Sequence, residues 1–282
     1  MTDIRSILVH VDETVFCPSR LRLAGRLADR FQAMVSGIYA SPTAAMGPVA
    51  PGEAHEAWDT LIASRSDEMQ KRAQDMFAAF RRPRRDTAWQ AFGPAAVAAA
   101  GGPAALVARQ ARGFDLVIVG QSGAGEDEAE RPGSLPQQLV VTTGRPVLVV
   151  PRILADEDAG RRIVVAWSDS REAARALADA MPFLRRAERV CVVTVGQAAT
   201  PSMAALDLPL GYLALHGVTA DGEILRADPG DETGALIARS GRFEADLLVM
   251  GGYGHGRLRE LVLGGMTREM LTRLPLPVLM SH

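Results

Sequence analysis

Two copies of one α/β unit, each a doubly wound domain around a five-stranded parallel sheet, are what this sequence predicts. Three observations carry that fold class. The chain has 282 residues, which at about 150 residues per domain is room for two cores. A glycine pattern occurs twice: glycine, two residues, glycine, nine residues, glycine stands at Gly120, Gly123 and Gly133 and again, with no gap, at Gly251, Gly254 and Gly264. Each copy is followed at the same distance by Pro-Val-Leu, at Pro146, Val147, Leu148 and at Pro277, Val278, Leu279. Finally, short apolar runs alternate with helical patterns in both copies, the order that gives a parallel sheet covered on both faces. The first domain is expected to span 1–152 and the second 161–282.

In the first copy, residues 4–11 form a short apolar run ending at Asp12, a buried strand. Pro18 and Ser19 then open a helical pattern with Leu23, Leu27 and Phe31 four residues apart. Residues 34–40 read as a second strand and 41–52, rich in Pro, Gly and Ala, as a loop. Residues 53–80 are helical and charged, with Trp58, Leu61, Met69, Met76 and Phe80 as core contacts. A third strand at 87–92, an Ala-rich helix at 95–112, a fourth strand at 115–119 and a fifth at 146–150 complete the unit. Ligands of such sheets sit beyond the carboxyl ends of the strands, where Asp12, Ala40 and Gly120 lie.

The second copy follows an acidic linker at 154–160. Its first strand is 163–167, and Asp169 with Glu172 makes a capping-box-like entry to a helix through Ala174, Leu177 and Met181. The second strand is 189–195. Only a short helix at 202–216 stands where the first copy has a long one. Asp221-Gly222 reads as a turn, which leaves the third strand at 223–226. A helix at 232–240, the fourth strand at 246–250, the glycine loop, another helix and a fifth strand at 276–280 close the chain.

Composition narrows the function. With 48% hydrophobic residues and a net charge of -2, neither nucleic acid nor an anionic membrane is indicated as a partner. No apolar run approaches a membrane span and Met1-Thr2-Asp3 is not a basic leader, so a soluble cytoplasmic protein is expected. Cys17 and Cys191 stand alone, without the spacing of a redox or zinc pair, and read as buried reduced thiols. No metal site is expected. The acidic run Glu126, Asp127, Glu128 and Glu130 has no fixed ligand spacing and reads as an exposed loop.

Glycines spaced in this way let the backbone turn and let a ligand approach without a Cβ in between. Amides at the start of the following helix favour an anion such as phosphate. A P-loop is excluded, because it needs a Gly-Lys pair and Lys71, the single lysine, follows no glycine. A dinucleotide fingerprint also fails, since Gly252, Gly254 and Gly256 lack the last spaced glycine and follow a fourth strand. From spacing alone, a tight turn and a mononucleotide cradle both stay open.

With these motifs the chain resembles the universal stress protein family in its tandem, two-domain form. That resemblance implies two adenine-nucleotide α-hydrolase-like domains packed as an internal pseudo-dimer, with the two fifth strands adjacent and antiparallel. It implies a stress-response regulator that binds ATP or AMP, with Mg2+ only if ATP is bound. Carried onto this sequence, the nucleotide-binding positions are Asp12, Gly120, Gly123, Gly133 and Ser134 in the first copy. In the second they are Val195, Met250, Gly251, Gly254, Gly264, Gly265, Met266 and Thr267, and Ala40 is the first-copy match of Val195 at the adenine.

The copies are unequal. The nine-residue insert of the first carries four carboxylates against Arg131, whereas that of the second carries His255, Arg257 and Arg259 against Glu260. Each carboxylate near a triphosphate costs on the order of 1 kcal/mol, so binding is expected chiefly in the second copy. Yet Ser168 stands there in place of Asp12, with Asp169 one residue late. Gly265 stands in place of Ser134, with Thr267 two residues on. A homodimer stays open as a partner state. An interaction module of the same fold without nucleotide is the first alternative. A slow ATPase is the second, for which His255 and Glu260 are the nearby bases and both read as solvent-facing. No catalytic residue is assigned. His10 reads as a core histidine.

Overall fold

The computed structural model describes residues 3–42, 53–81, 87–122, 134–154, 157–196, 203–228, 230–253 and 265–282. In the first half these form β1 (Ser6–His10), α1 (Cys17–Phe31), β2 (Met34–Ala40), α2 (Glu53–Arg81) and β3 (Thr87–Phe92). Then come α3 (Pro94–Ala99), α4 (Pro103–Ala111), β4 (Leu116–Gly120), α5 (Leu135–Thr142) and β5 (Val147–Val150). The second half contributes β6 (Arg162–Ala166), α6 (Arg171–Asp179), α7 (Met181–Leu184), β7 (Arg189–Gly196) and, after a 3-10 turn over Met203–Leu206, α8 (Asp207–Leu215). It ends with β8 (Asp221–Arg226), α9 (Glu232–Arg242), β9 (Leu247–Gly251), α10 (Gly265–Arg273) and β10 (Val278–Ser281).

Among the described residues the strands join into one ten-stranded sheet in the order β3-β2-β1-β4-β5-β10-β9-β6-β7-β8. The order therefore reads the same from either end inward, and strands within each half are parallel. The halves meet where β5 and β10 pair antiparallel, Leu148 opposite Leu279. The expected adjacency of the fifth strands is found. The expected division into two five-stranded sheets is not, because Val147–Val150 and Val278–Ser281 would each leave an apolar edge with unpaired backbone groups and satisfy one another instead.

Alternation along each strand sends side chains to two cores. Ile7, Val9, Leu116 and Ile118 face the layer of α1, α2, α6, α7 and α8, whereas Leu8, Val117 and Val119 face α3, α4, α5, α9 and α10. Register confirms which positions correspond: Val9 lies opposite Ile118, as Val165 lies opposite Val249. Asp115 and Asp246 repeat one structural role. Asp115 accepts hydrogen bonds from the amides of Arg5 and Ser6, and Asp246 from those of Gly160, Arg161 and Arg162, at the amino ends of β1 and β6.

Several elements differ from expectation for local reasons. The helix expected at 95–112 is two helices, because Gly101 and Gly102 take positive φ and Pro103 starts the next one. The helix expected to run through Met181 breaks before Pro182. Ser170 caps α6, its Oγ accepting from the Ala173 amide, so the capping role expected of Asp169 falls one residue later. Gly222, read as part of a turn, lies inside β8: a Cβ there would meet Leu210 at 2.9 Å, so the glycine lets α8 lie close on the strand. The acidic linker is tied to α1, with Glu157 paired to Arg22 and Asp158 to Arg30.

Candidate functional site

The strand order places the reversal of chain direction across the sheet between β1 and β4 in the first half and between β6 and β9 in the second. In open parallel sheets the ligand crevice lies outside the carboxyl ends of the strands at that point. The residues at these two points are Asp12 with Gly120, and Ser168 with Gly251.

In the first half Asp12 is engaged on both oxygens. Oδ1 accepts from the Thr14 amide at 3.1 Å and its hydroxyl at 2.5 Å, and Oδ2 accepts from Arg20 Nη2 at 2.7 Å. Arg20, on the first turns of α1, is 3% exposed. A Cβ added to Gly120 would fall on Arg20 Nη1, so the guanidinium lies across the gap between the two strand ends. Burial works against ionisation of Asp12, yet Arg20, with help from His10 and Thr14, outweighs it and holds the carboxyl down at about 2. His10 Nδ1 stands 3.8 Å from the same carboxylate, but burial lowers its pKa to about 4, against the pull of Asp12, and keeps the ring neutral. His10 is thus the buried histidine that its place in a strand implies. Ser134 is the N-cap of α5 without a side-chain cap bond, and Ala40 is buried.

The second half is built differently at the same point. Ser168 is exposed and its Oγ lies 3.1 Å from Ser170 Oγ. The start of α6 packs directly on Gly251, where a Cβ would stand 2.6 Å from the Ala173 nitrogen. Beyond β9 the Tyr253 amide donates to Thr267 Oγ1 at 3.2 Å, which joins the two ends of the glycine segment at the base of α10. Tyr253 has φ 58, and burial pushes its phenol up to about 12 despite Arg268. Gly265 opens α10 with nothing within 4 Å of an added Cβ. Met250 is 4% exposed, its side chain in the core, while Val195 and Met266 are half-buried at the rim. Thus Val195, Met250, Gly251, Gly265, Met266 and Thr267 are brought to one edge, with Thr267 serving partly as a loop clasp. Gly123, Gly133, Gly254 and Gly264 lie outside the described residues, as do the acidic insert, His255, Arg257, Arg259 and Glu260.

Each loop base is also tied to the opposite half. Gln121 Nε2 donates to the Leu271 and Thr272 carbonyls at the end of α10. At the equivalent Gly252, a Cβ would meet Val140 of α5 at 2.5 Å. Both cysteines are buried free thiols. Among the described residues no cluster of His, Cys, Asp and Glu could hold a metal ion, and no helix is long and apolar enough to cross a membrane.

Residues 160–282 match the model of the universal stress protein family. Over almost its whole length the chain also superposes on a universal stress protein from Archaeoglobus fulgidus, with a TM-score of 0.72 at 16% identity, covering 98% of this chain and 95% of that one. The second half of the chain, residues 160–282, thus belongs to the universal stress protein family. A protein of unknown function from Pseudomonas aeruginosa PAO1 has a similar fold, with a TM-score of 0.61 at 16% identity over 99% of this chain and 92% of that one. A universal stress protein of Synechocystis is 26% identical over 174 residues, 59% of this chain; the match spans 57% of that relative's length.

Within this family setting the residue that sequence reasoning missed is Arg20. Alone, an arginine near a helix start reads as a surface charge. The available signal was a comparison of the copies: the register that puts Asp12 on Ser168 puts Arg20 on Ala176, a buried residue of α6.

Proposed function

We propose that this universal stress protein is a tandem member of its family, a regulator that binds one adenine nucleotide, ATP or AMP, at the carboxyl edge of its second half. Family membership supports a nucleotide-responsive regulatory role. The observation that carries the finer reading is the Tyr253 amide to Thr267 hydroxyl bond, which sets the start of α10 beside the end of β9. The first amides of a helix have no intrahelical partner, and there they favour phosphate. The residues present fit such an anion, since Gly265 is open on its Cβ side and Thr267 adds a hydroxyl.

By the family resemblance, Val195 and the strand end at Met250 and Gly251 would flank the base, and Gly254, Gly264, Gly265, Met266 and Thr267 would hold the phosphates. Mg2+ enters only with ATP. The role is binding without strong turnover, in the cytoplasm, with the two halves acting as an internal pseudo-dimer. Native mass spectrometry of the freshly purified chain tests the reading. One retained ATP or AMP per chain, or one taken up on adding ATP, is expected; a chain that takes up neither is an interaction module of the same fold.

A further inference from the structure

Nucleotide sites at both switch points would be the simple consequence of a doubled fold, and the first half shows why the two are not equal. Its crevice between β1 and β4 already contains a side chain. The Arg20 guanidinium spans from the Asp12 carboxylate to the face of Gly120, 3% exposed, and its Nε has no hydrogen-bond partner among the described residues. Burying a guanidinium with one nitrogen unpaired is costly, and the arrangement persists through the buried pair with Asp12. In the second half the corresponding helix residue is Ala176. There the α6 backbone packs on Gly251, and Ser168, Asp169 and Ser170 follow the end of β6.

We propose that Arg20 is a built-in occupant of the first-half crevice, a residue that determines how many ligands the chain takes by keeping a ribonucleoside away from Asp12 and Gly120. The ligand class rests on the reading under Proposed function; the occupancy does not. Asp12 is the carboxylate that Arg20 engages at this edge, and a ribose diol would have to displace both the Thr14 and the Arg20 donors to reach it. Arg20 lies on a helix held by the core through Leu21, Leu23, Ala24 and Leu27, so its backbone cannot withdraw without moving α1.

Removing the side chain beyond Cβ should therefore open a site. The probe is adenosine, which carries no phosphate and so is not repelled by the acidic insert of the first half. Calorimetric titration of the full chain and of Arg20→Ala should show one more adenosine per chain in the variant. Arg20→Gln, which keeps a polar partner for Asp12, serves if the alanine variant does not hold its fold by circular dichroism. Equal stoichiometry in the wild type and in a folded variant overturns the proposal. A wild type that takes none does not touch the second-half reading, which rests on phosphate contacts and is tested with ATP; a gain of one adenosine in the variant supports the role of Arg20, and its absence overturns it.

Discussion

The crevice between β1 and β4 and the one between β6 and β9 are framed by equivalent strands in the same order, yet a charged side chain lies across the first, whereas in the second the α6 backbone packs on Gly251. Where the repeat serves packing, it is kept closely. Asp115 and Asp246 do one job, and Gln121 and Gly252 each donate their amide to the last strand of their own half, to Val150 and to Ser281. Where the repeat faces a ligand, it diverges. A doubled fold thus conserves what its core requires and leaves the carboxyl edge of each half free to change.

The largest effect that would break this comparison is the loss of the buried pair. Arg20→Ala should lower stability to urea by about 2 to 3 kcal/mol, because it empties a buried position and leaves the half-buried Asp12 carboxylate without its counter-ion. A loss near zero would mean that the pair is a surface contact. Acid should act on the same cluster. His10 has a folded pKa near 4 against 6.5, so between these values the unfolded chain binds more protons and stability falls as pH drops. Asp12, held at about 2 against 3.8, contributes stability above about pH 4 and loses it as pH falls toward 2. The His10 contribution amounts to about 3 kcal/mol at most. His10→Gln should flatten the dependence of the urea midpoint between pH 6.5 and 4 while leaving the lower limb; an unchanged slope would contradict the buried, neutral ring.

A smaller effect separates the two fillers. Gly251→Ala forces a methyl against the Ala173 backbone, which cannot swing aside, and should cost about 2 kcal/mol. Gly120→Ala should be destabilising in the wild type but nearly neutral once Arg20 is alanine, since the methyl then takes the vacated space. A double-mutant cycle at Gly120 and Arg20 reads that coupling directly, and additive effects would count against it.

How far these features could be read beforehand depends on their range along the chain. The glycine spacing, the paired Pro-Val-Leu endings and the switch of period from strand to helix are local, and they yielded the doubled parallel α/β unit, while the β5–β10 contact came from the resemblance to the family. The break at Gly101, Gly102 and Pro103 was also local, and its signal was overlooked in favour of the Ala-rich run. The Arg20 to Gly120 contact joins residues a hundred positions apart, and its one trace in the sequence is the difference between the copies, Arg20 against Ala176. Likewise Ser170 and Asp169 are both good caps, and only the φ and ψ of the turn selects between them. At Met250 the alternation of the strand turns the side chain into the core, so only its backbone is left to face the carboxyl edge.

The smallest expected effect is a gain. Gly265→Ser should tighten ATP by several-fold, about 1 kcal/mol, because the open Cβ side of Gly265 accepts a hydroxyl at the start of α10. Unchanged affinity would place the phosphates elsewhere.

The inequality of the halves is tested most directly by calorimetric titration of ATP into the paired variants Gly123→Asp and Gly254→Asp, each of which sets a side chain and a negative charge into one glycine loop. Gly123→Asp should bind one ATP as the wild type does, and Gly254→Asp none. Two equal sites in the wild type, or one site lost in Gly123→Asp and kept in Gly254→Asp, would contradict the account.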